Sequence, residues 1–490
     1  MLEDYFLQFR QGVIGIDACI ESPGGDLMPI VYADWTASGR NYLPIEARIQ
    51  KEIMPYVANT HTEASSTGMA TTHAYKSAQQ IIKQHVNADD GDVILTTDSG
   101  MTGVVNKFQR ILALRSNAPT NDVSNAERPV VFVSHMEHHS NHTSWLETIA
   151  TVVVIPPNKE GLIDLEALKD LLQQYIDRPM KIASITACSN VTGIATPVQE
   201  IAKIIHQAGG YCFVDYACSA PYVAIDMHPE EQNAHLDAVF FSPHKFLGGP
   251  GSCGVLVFNS ELYHNEVPDH PGGDTVQWTN PWGGHKYFSD IETREDGGTP
   301  AFLQTIKAAM CISLKDEMGV KNIQKREEYL KNLLFDGISN ISNLLILESK
   351  HIERLAIFSF CIGGLNYNLG VTLLNDYFGI QCRGGCSCAG TYGHHLFNIG
   401  QGQSKIITDM IDEGDLSQKP GWIRVSLHPT MTDDEVIYIA QSIQALANNH
   451  QDWTKLYQLN AASGQFEFSS NNSNKAFKNR VYQQLTSRFL

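Results

Sequence analysis

The sequence lacks a long apolar run, since no uninterrupted stretch reaches the roughly 18 residues that a membrane-spanning helix needs. Positive charge is also scarce: 35 Lys and Arg stand against 53 Asp and Glu, which gives a formal net charge of -18. Nucleic acids and anionic membranes attract basic surfaces, so we expect neither as a partner. The N-terminus, which starts at Met1, shows neither the basic start nor the small-residue cleavage site of a secretory signal.

Cysteine is too thinly spread for a small secreted domain held together by disulfides. Ten cysteines occur in 490 residues, and only Cys382, Cys386 and Cys388 lie close together. We therefore expect reduced thiols and a cytoplasmic location, and the length is sufficient for two or three domains. What the sequence does contain, from residue 93 onwards, is an alternation of apolar runs of strand length with amphipathic helical segments.

This alternation predicts a mainly parallel sheet that is covered by helices on both faces. Ligands of such sheets bind beyond the carboxyl ends of the strands, so the residues that follow each strand are candidates for a site. The predicted strands cover residues 93–96, 129–133, 151–155, 181–186 and 211–214, and two more lie within 238–258.

Several polar residues follow the first two of these strands. Ser99 and Gly100 open a helix, and the free N–H groups at a helix N-terminus bind phosphate, although an ordinary tight turn explains the same residues. After the next strand, His135, His138 and His142 would share one helical face and form a metal site. The alternative is an imidazole that stacks on a planar cofactor.

Two further polar side chains follow later strands. Asn190 is either a turn residue or a donor to a phenolate-like oxygen. Asp215 is either a helix cap or the partner of a protonated pyridine nitrogen. At about 4 Å and an effective dielectric near 20, such a pair is worth on the order of 4 kcal/mol before desolvation.

Lys245 lies between two apolar runs, in the segment Ser242-Pro-His244-Lys245. A buried ammonium group is unfavourable, so this lysine either emerges into solvent or loses its charge by forming a Schiff base with an aldehyde cofactor. A phosphate cradle, a stacking His, an Asn donor, an Asp and this Lys match the requirements of pyridoxal phosphate.

These motifs resemble the class V aminotransferase family of fold-type-I pyridoxal-phosphate enzymes, and in particular its cysteine desulfurase and selenocysteine lyase branch. The resemblance extends over about residues 30 to 445. It implies an α/β fold, in which a large domain with a mainly parallel seven-stranded sheet is followed by a smaller α+β domain. The motifs that carry it are Glu137-His138-His139, Ser189-Asn190-Val-Thr-Gly193, Val214-Asp215, Ser242-Pro-His244-Lys245 and Gly298-Thr299-Pro300.

By this resemblance, Lys245 is the Schiff-base lysine, Asp215 the partner of the ring nitrogen, and His138 the ring-stacking and acid/base residue. Asn190 resembles a contact to the ring hydroxyl or to substrate. One departure is Cys218, because the desulfurase branch usually carries Gln three residues after the Asp. The implied phosphate ligands are Ser99, Gly100, Ser242 and His244, with Thr299, which in the family's homodimers reaches the phosphate of the neighbouring subunit.

The second half of the chain supplies candidates for substrate binding and sulfur chemistry. Arg383 and Arg424 are suited to bind a substrate carboxylate and resemble the family's carboxylate-binding arginines; ordinary surface arginines are the alternative. Cys388 aligns with the desulfurase nucleophile loop, in which a thiolate attacks the substrate sulfur, leaves a persulfide and releases alanine. The segment also resembles the Cys-x-Cys of molybdenum cofactor sulfurases, so Cys386 is a second candidate to carry sulfur. The remaining alternatives are inert buried thiols or a metal site made of Cys382, Cys386, Cys388, His394 and His395.

We therefore predict a pyridoxal-phosphate lyase or sulfurtransferase that acts on cysteine or a related amino acid, without a metal, and that passes sulfur to an acceptor protein. The alternatives are a class V aminotransferase or epimerase without persulfide chemistry and, more distantly, a His/Cys metalloprotein. A helical stretch from Pro300 to Leu334 is predicted to connect the two halves. The predicted domains are an N-terminal arm (1–30), a large cofactor-binding domain (31–310), a small C-terminal domain (311–455) and a tail of unassigned role (456–490) that includes a polar link at 469–474.

Overall fold

The structure is a computed structural model, and it describes residues 2–115, 124–460, 463–469 and 482–487. The helices are α1 (Leu2–Arg10), α2 (Leu43–Arg48), α3 (Ser66–His85), α4 (Gly100–Ile111), α5 (His139–Leu146), α6 (Leu165–Gln174), α7 (Val198–Gln207), α8 (Ile291–Glu295), α9 (Phe302–Met318), α10 (Val320–Ile338), α11 (Tyr367–Phe378), α12 (Gly390–Leu396), α13 (Gln401–Asp412) and α14 (Asp433–Thr454). The strands are β1 (Cys19–Glu21), β2 (Leu27–Pro29), β3 (Val31–Tyr32), β4 (Asp92–Thr97), β5 (Val130–Ser134), β6 (Thr151–Ile155), β7 (Lys181–Thr186), β8 (Tyr211–Asp215), β9 (Ala238–Phe241), β10 (Gly254–Asn259), β11 (Val276–Thr279), β12 (His285–Tyr287), β13 (Leu344–Ile346), β14 (Ile357–Ile362), β15 (Ile380–Gln381), β16 (Arg383–Gly385), β17 (Trp422–Ser426), β18 (Tyr457–Asn460) and β19 (Gln465–Phe468).

The largest sheet has seven strands in the order β4-β10-β9-β8-β7-β5-β6. The strands from β6 to β9 in this order pair in parallel, and β10 is antiparallel to both of its neighbours, β4 and β9. Every residue of β5, β7 and β9 is buried, as expected for a sheet that is covered on both faces. The predicted α/β fold class, with a mainly parallel seven-stranded sheet, is confirmed.

Local sequence signals explain where the helices begin and end. α6 begins where the Asp164 carboxylate accepts hydrogen bonds from the backbone N–H groups of Glu166 and Ala167. The helical stretch predicted from Pro300 to Leu334 is interrupted at Gly319, whose φ of 76° separates α9 from α10; glycine adopts this conformation without strain. Among the described residues, no helix is both long enough and apolar enough to cross a membrane.

A second, four-stranded sheet is antiparallel in the order β13-β14-β17-β16. α11 packs on β16 and β17, and α14 packs on α10 and α11. This mixture of helices and antiparallel strands agrees with the α+β character expected of the second half. The domain boundaries at residues 30, 310 and 455 stay predictions.

A short segment near the beginning of the chain lies against the second half of the chain. β3 pairs in parallel with β15, and an isolated bridge joins Asp34 to Ser426 at the end of β17. The residues that follow β3 are therefore held against the small sheet, beside Arg424, although they precede every strand of the large sheet.

The segment after α14 forms a hairpin of β18 and β19. It docks on α11 through two hydrogen bonds, from Asn368 Nδ2 to the Gly464 carbonyl at 2.7 Å and from Tyr457 Oη to Asp376 Oδ2 at 2.9 Å. Apart from Ser469, the polar link predicted at 469–474 lies outside the described residues.

Gly254, at the start of β10, lies against the turn that opens α4. A Cβ at this position would lie 2.1 Å from the carbonyl oxygen of Gly100, a backbone atom that cannot turn aside as a side chain can. We expect Gly254→Ala to lower the free energy of unfolding by about 1–3 kcal/mol through overpacking. Urea denaturation followed by circular dichroism measures the change. Gly402→Ala is the matched control, because a Cβ there has no neighbour within 4 Å; equal losses in both variants would refute the packing argument.

Candidate functional site

An open cavity of about 200 Å³ lies beyond the carboxyl ends of the parallel strands and faces the small sheet. The sheet order and the strand-end rule predict this location. Cys388 and Thr299 do not line the cavity. Ten of the predicted site residues do: Ser99, Gly100, His138, Asn190, Asp215, Ser242, His244, Lys245, Arg383 and Arg424.

One wall of the cavity is the N-terminus of α4. Gly100 has a φ of 61°, and Ser242 Oγ accepts a hydrogen bond from the backbone N–H of Met101 at 2.8 Å. Backbone N–H groups at the positive end of a helix, beside a buried hydroxyl, are suited to bind a phosphate. The Ser99 hydroxyl donates instead to Oδ1 of the neighbouring Asp98 at 2.9 Å.

Asp215 and Lys245 lie at the ends of the adjacent strands β8 and β9. Burial raises the pKa of Asp215 to about 6, although the N–H of Ala217, 2.7 Å from Oδ1, and the charge of Lys245 oppose the shift. Burial likewise lowers the pKa of Lys245, and the positive charges of Arg424 and Arg383 lower it further. Cys218 and Asp215 act in the opposite direction and raise it. Both groups are therefore shifted towards their neutral forms.

Glu137 lies beneath this pair and was not given a role by the sequence analysis. Its carboxylate accepts hydrogen bonds from Ser134 Oγ at 2.6 Å, the Thr186 N–H at 2.9 Å and Asn141 Nδ2 at 2.8 Å. Burial raises its pKa to about 7, against these hydrogen bonds. Because Thr186 lines the cavity and Asn141 belongs to α5, Glu137 fixes the wall that carries His138 relative to β7.

His138 caps the N-terminus of α5 and faces the cavity. Its Nδ1 accepts a hydrogen bond from the Ser140 N–H at 3.1 Å, so the proton of the neutral ring is on Nε2. Burial, and then the charge of Lys245, lower the pKa of His138 to about 3. The imidazole is thus neutral at physiological pH.

The alternative metal site at His135, His138 and His142 is not assembled. The helix begins only at His139, so the three rings do not share one helical face. His135 Nε2 is 3.2 Å from the carbonyl of Gly161, and His142 Nδ1 is 3.1 Å from Thr391 Oγ1. Within the described residues, these histidines do not form a group with metal-ligand spacing.

Cys388 is exposed, on a constrained loop between β16 and α12. Ser387 and Cys388 have φ values of 51° and 57°, a conformation that costs non-glycine residues about 1–3 kcal/mol each. Hydrogen bonds hold the loop in place: the Cys388 carbonyl accepts from the His139 N–H at 2.7 Å, His139 Nε2 from the Gly390 N–H at 3.0 Å, and the Ser387 carbonyl from Asn190 Nδ2 at 2.8 Å.

The other two cysteines of this segment have different surroundings. Cys386 is half-buried and packs against an apolar cluster that includes Tyr392 and Trp422. Burial raises the pKa of Cys382 well above its usual range, which disfavours its thiolate. The metal site proposed from these cysteines with His394 and His395 is not assembled among the described residues.

Arg383 and Arg424 converge on a residue that the sequence analysis missed. Asp34 Oδ1 accepts a hydrogen bond from Arg424 Nη2 at 2.8 Å, and Asp34 Oδ2 lies 3.6 Å from Arg383 Nε. Arg424 is buried, whereas the Arg383 side chain is 48% exposed. Asp34 lies just after the short apolar strand β3, much as Asp215 ends an apolar strand, but β3 pairs with β15 and lies outside the large sheet.

Three further positions from the sequence analysis have different surroundings. Asn190 lines the cavity, but its amide nitrogen donates to the Ser387 carbonyl, and its buried Oδ1 has no partner among the residues described. Cys218, at the position of the family's usual Gln, lines the cavity with its thiol 2.9 Å from the Cys188 carbonyl. Thr299 is exposed and away from the cavity of its own chain.

The fold and the strand-end lysine cavity define an α/β protein of the fold-type-I class. The sequence model of the Aminotransferase class-V family matches residues 31–439. This chain belongs to the aminotransferase class-V family, as its motifs predicted.

Curated relatives and solved structures agree with this assignment. A probable cysteine desulfurase of Halalkalibacterium halodurans is 28% identical over 365 residues, which cover 74% of this chain and 84% of the relative. One of Staphylococcus aureus is 29% identical over 364 residues, 74% of this chain and 83% of the relative. The apo structure of a cysteine desulfurase from Thermococcus onnurineus superposes with a TM-score of 0.70 at 20% identity, over 86% of this chain and 95% of that chain. The structure of the Escherichia coli cysteine desulfurase CsdA (S-sulfonic acid) also superposes with a TM-score of 0.70, at 22% identity, over 90% of this chain and 98% of that chain.

The pair of Asp34 with Arg424 gives a prediction about stability. Removing one partner of a buried ion pair leaves an uncompensated charge, so we expect Asp34→Asn to lower the free energy of unfolding by about 3–5 kcal/mol. Thermal and urea denaturation measure the loss. Asp409→Asn is the control, because Asp409 pairs with Lys405 at the surface, where such a pair is worth about 0–1 kcal/mol. A loss in Asp34→Asn no larger than in the control would show that the pair is solvated.

Proposed function

We propose that this protein is a pyridoxal-phosphate-dependent cysteine desulfurase, which removes sulfur from cysteine and releases alanine. One observation carries the proposal. A cavity at the ends of parallel strands holds Lys245 beside Asp215 and His138, and an exposed cysteine, Cys388, lies on a constrained loop that is hydrogen-bonded to the helix capped by His138. The names of the curated relatives support the same activity.

The residues of the cavity fit pyridoxal phosphate. The N-terminus of α4 and the Ser242 hydroxyl suit its phosphate, and Asp215 suits its protonated ring nitrogen. Two buried polar atoms of cavity residues, Asn190 Oδ1 and Arg424 Nε, have no partner in the described part of the chain, which is unfavourable unless a ligand supplies one. When bound, the cofactor supplies a ring that accepts the electrons left at the substrate α-carbon.

We assign to Lys245 both the covalent attachment of the cofactor and the removal of the substrate α-proton. A lysine acts as a base only when its amine is neutral, and the burial that lowers the pKa of Lys245 favours this form. The negative charge of Asp215 opposes a complete loss of the charge on Lys245. A cationic ring nitrogen would lower the pKa of Asp215 again and keep its carboxylate ionised. The neutral ring of His138 is suited to lie against a planar ring.

We assign the sulfur-transfer step to Cys388. Its thiolate attacks the substrate sulfur, so a sulfur–sulfur bond forms while the bond between that sulfur and the β-carbon breaks. The carbon skeleton takes up protons and leaves as alanine, and the sulfur stays on Cys388 as a persulfide. Cysteine plus a protein thiol thus becomes alanine plus a protein persulfide, without an outside oxidant. Cys386 is the less suitable thiol because it packs in an apolar cluster.

The substrate carboxylate is assigned to the two arginines. Arg424 is already paired with Asp34 through Nη2. Its Nε and the more exposed guanidinium of Arg383 are therefore the groups left for a ligand. Asp34 then acts as the residue that orients both side chains.

We further propose a homodimer in which Thr299 reaches the phosphate site of the other subunit, and an acceptor protein that takes the sulfur from the exposed loop. Thr299 supports the first point because it is exposed and away from its own cavity. The cytoplasmic location stays a prediction. A class V aminotransferase or epimerase activity is the alternative if the protein forms no alanine from cysteine.

The attachment of the cofactor to Lys245 can be tested directly. Borohydride treatment of the native protein is expected to fix the cofactor on Lys245, which peptide mapping by mass spectrometry identifies, and Lys245→Ala should lose the visible absorption band. Lys315 is an internal control, because burial lowers its pKa to about 7 as well. Its Nζ donates hydrogen bonds to the carbonyls of Ala220 and Val223, outside the cavity, so it should carry no label. A label elsewhere, or none, would disprove the cofactor assignment.

The role of Cys388 is tested by removing its thiol. Cys388→Ala should lower alanine formation from cysteine about a thousandfold or more, because the nucleophile is lost, while the visible absorption band is kept. The matched control is Cys386→Ala, two residues away, which should retain most activity. If Cys388→Ala remains active and Cys386→Ala does not, the sulfur is carried by Cys386; if both remain active, the assignment of the persulfide to Cys388 fails.

A further inference from the structure

A cluster of histidine and aspartate side chains lies at the edge of the large sheet opposite to the cavity. His206 is in the last turn of α7, and Asp237 immediately precedes β9, so both belong to the amino ends of the parallel strands. Lys245 and Asp215 lie at the carboxyl ends of these strands. The chemistry of this cluster is therefore separate from that of the cavity.

Three side chains of this cluster, His206, His235 and Asp237, lie close together. Nε2 of His206 is 2.8 Å from Asp237 Oδ2, and Nε2 of His235 is 3.8 Å from Asp237 Oδ1. The two imidazole rings are stacked with centroids 4.0 Å apart. One ligand atom from each residue lies within 4.8 Å of the others, close to the spacing of a metal site.

The outer contacts of these residues leave ligand atoms that point inwards. The Asn233 carbonyl can only accept a hydrogen bond, so His206 Nδ1, at 2.8 Å from it, carries a proton. Nε2 of the neutral ring then presents a lone pair to the Asp237 carboxylate, which is repulsive unless a proton or a metal ion lies between them. A metal-bound histidine typically donates its other ring N–H to a backbone carbonyl in this way.

Asp237 is oriented by the backbone as well. Its Oδ2 accepts a hydrogen bond from the N–H of Cys212 at 2.7 Å, which fixes a nearly buried carboxylate beside the two rings. Hydrogen bonds to a ligating carboxylate are the other common outer contact of metal sites.

A second group, made of Asp89, Asp92 and His228, lies beside the first and increases the local negative charge. Nε2 of His228 is 2.6 Å from Asp92 Oδ2 and 3.7 Å from Asp89 Oδ2. His228 and Asp92 both interact electrostatically with His235, so the two groups form one surface. Such a surface attracts cations, in keeping with the acidic charge of the chain.

We infer that His206, His235 and Asp237 bind one divalent transition-metal ion, with Zn²⁺ as the best match to two imidazoles and a carboxylate. Tetrahedral zinc bonds of about 2.0–2.2 Å place the ligand atoms about 3.3 Å apart, so Nε2 of His206 and Oδ2 of Asp237 must separate slightly. His235, whose side chain is 41% exposed, must rotate out of its stack with His206 to bring its Nε2 closer. Water completes the coordination. Where His206 is protonated on Nε2, that proton is released as the metal binds.

The test uses Zn²⁺ and the full chain with its cofactor bound. We expect wild-type protein to bind one more equivalent of Zn²⁺ than His235→Ala in equilibrium dialysis. Losing an outer partner of a metal ligand already weakens binding about 10–100-fold, and losing the ligand itself weakens it further. Comparing the two counts removes zinc held by cysteines, which is the same in both. The ion should also raise the melting temperature of the wild type and not that of His235→Ala.

His285→Ala is the matched control, because His285 is also exposed but lies on β12, outside the cluster. It should bind zinc as the wild type does. Substitution of exposed His235 is expected to leave the zinc-free melting temperature and the visible absorption band unchanged, which verifies the fold. Equal zinc stoichiometry and affinity in wild type and His235→Ala would overturn the inference and show that the three residues are a metal-free hydrogen-bonded cluster.

Discussion

The site depends on the burial of an acid and an amine at the ends of two neighbouring strands. β8 and β9 pair in parallel, so Asp215 at the end of one and Lys245 after the other reach the same edge of the sheet. In a poorly solvated setting each group is stable as an ion only if an opposite charge is near, and the pKa of each is shifted accordingly. This balance requires a sheet that excludes water from the strand ends, and the central strands β5, β7 and β9 are accordingly buried along their whole length.

The first turn of α5 connects the two parts of the site. His138 caps the helix and faces the cavity, while the next residue, His139, holds the loop of Cys388 through its backbone N–H and its ring. Glu137 anchors the same turn to β7 from below. A shift of this turn would therefore move the cavity-facing imidazole and the cysteine loop together, and three consecutive residues serve three different neighbours.

The sequence predicted those features that follow from strand periodicity and from side chains at strand ends. Lys245, Asp215, Asn190 and the α4 turn were found because each directly follows an apolar run, and the cavity brings them together. Features that depend on long-range pairing were not predicted.

Asp34 was missed because its importance depends on the pairing of β3 with β15, which no local pattern indicates. The stacked pair of His206 and His235 was missed for the same reason, since 29 positions separate them in the chain. The metal-site hypothesis for the histidine-rich segment after β5 required a helix that already includes His135 and His138. The helix begins only at His139, because His138 is its cap. Similarly, composition alone could not distinguish exposed Cys388 from half-buried Cys386.

The pairing of β3 with β15 has a consequence for the order of events on the ribosome. Val31 and Tyr32 are made early, but their partners at 380 and 381 emerge only about 350 residues later. At roughly 5–20 residues per second, that interval lasts on the order of 20–70 seconds. During that time β3 is exposed without its pairing strand, β15. Newly made molecules should therefore depend on chaperones more than the chain's local helices and hairpins suggest.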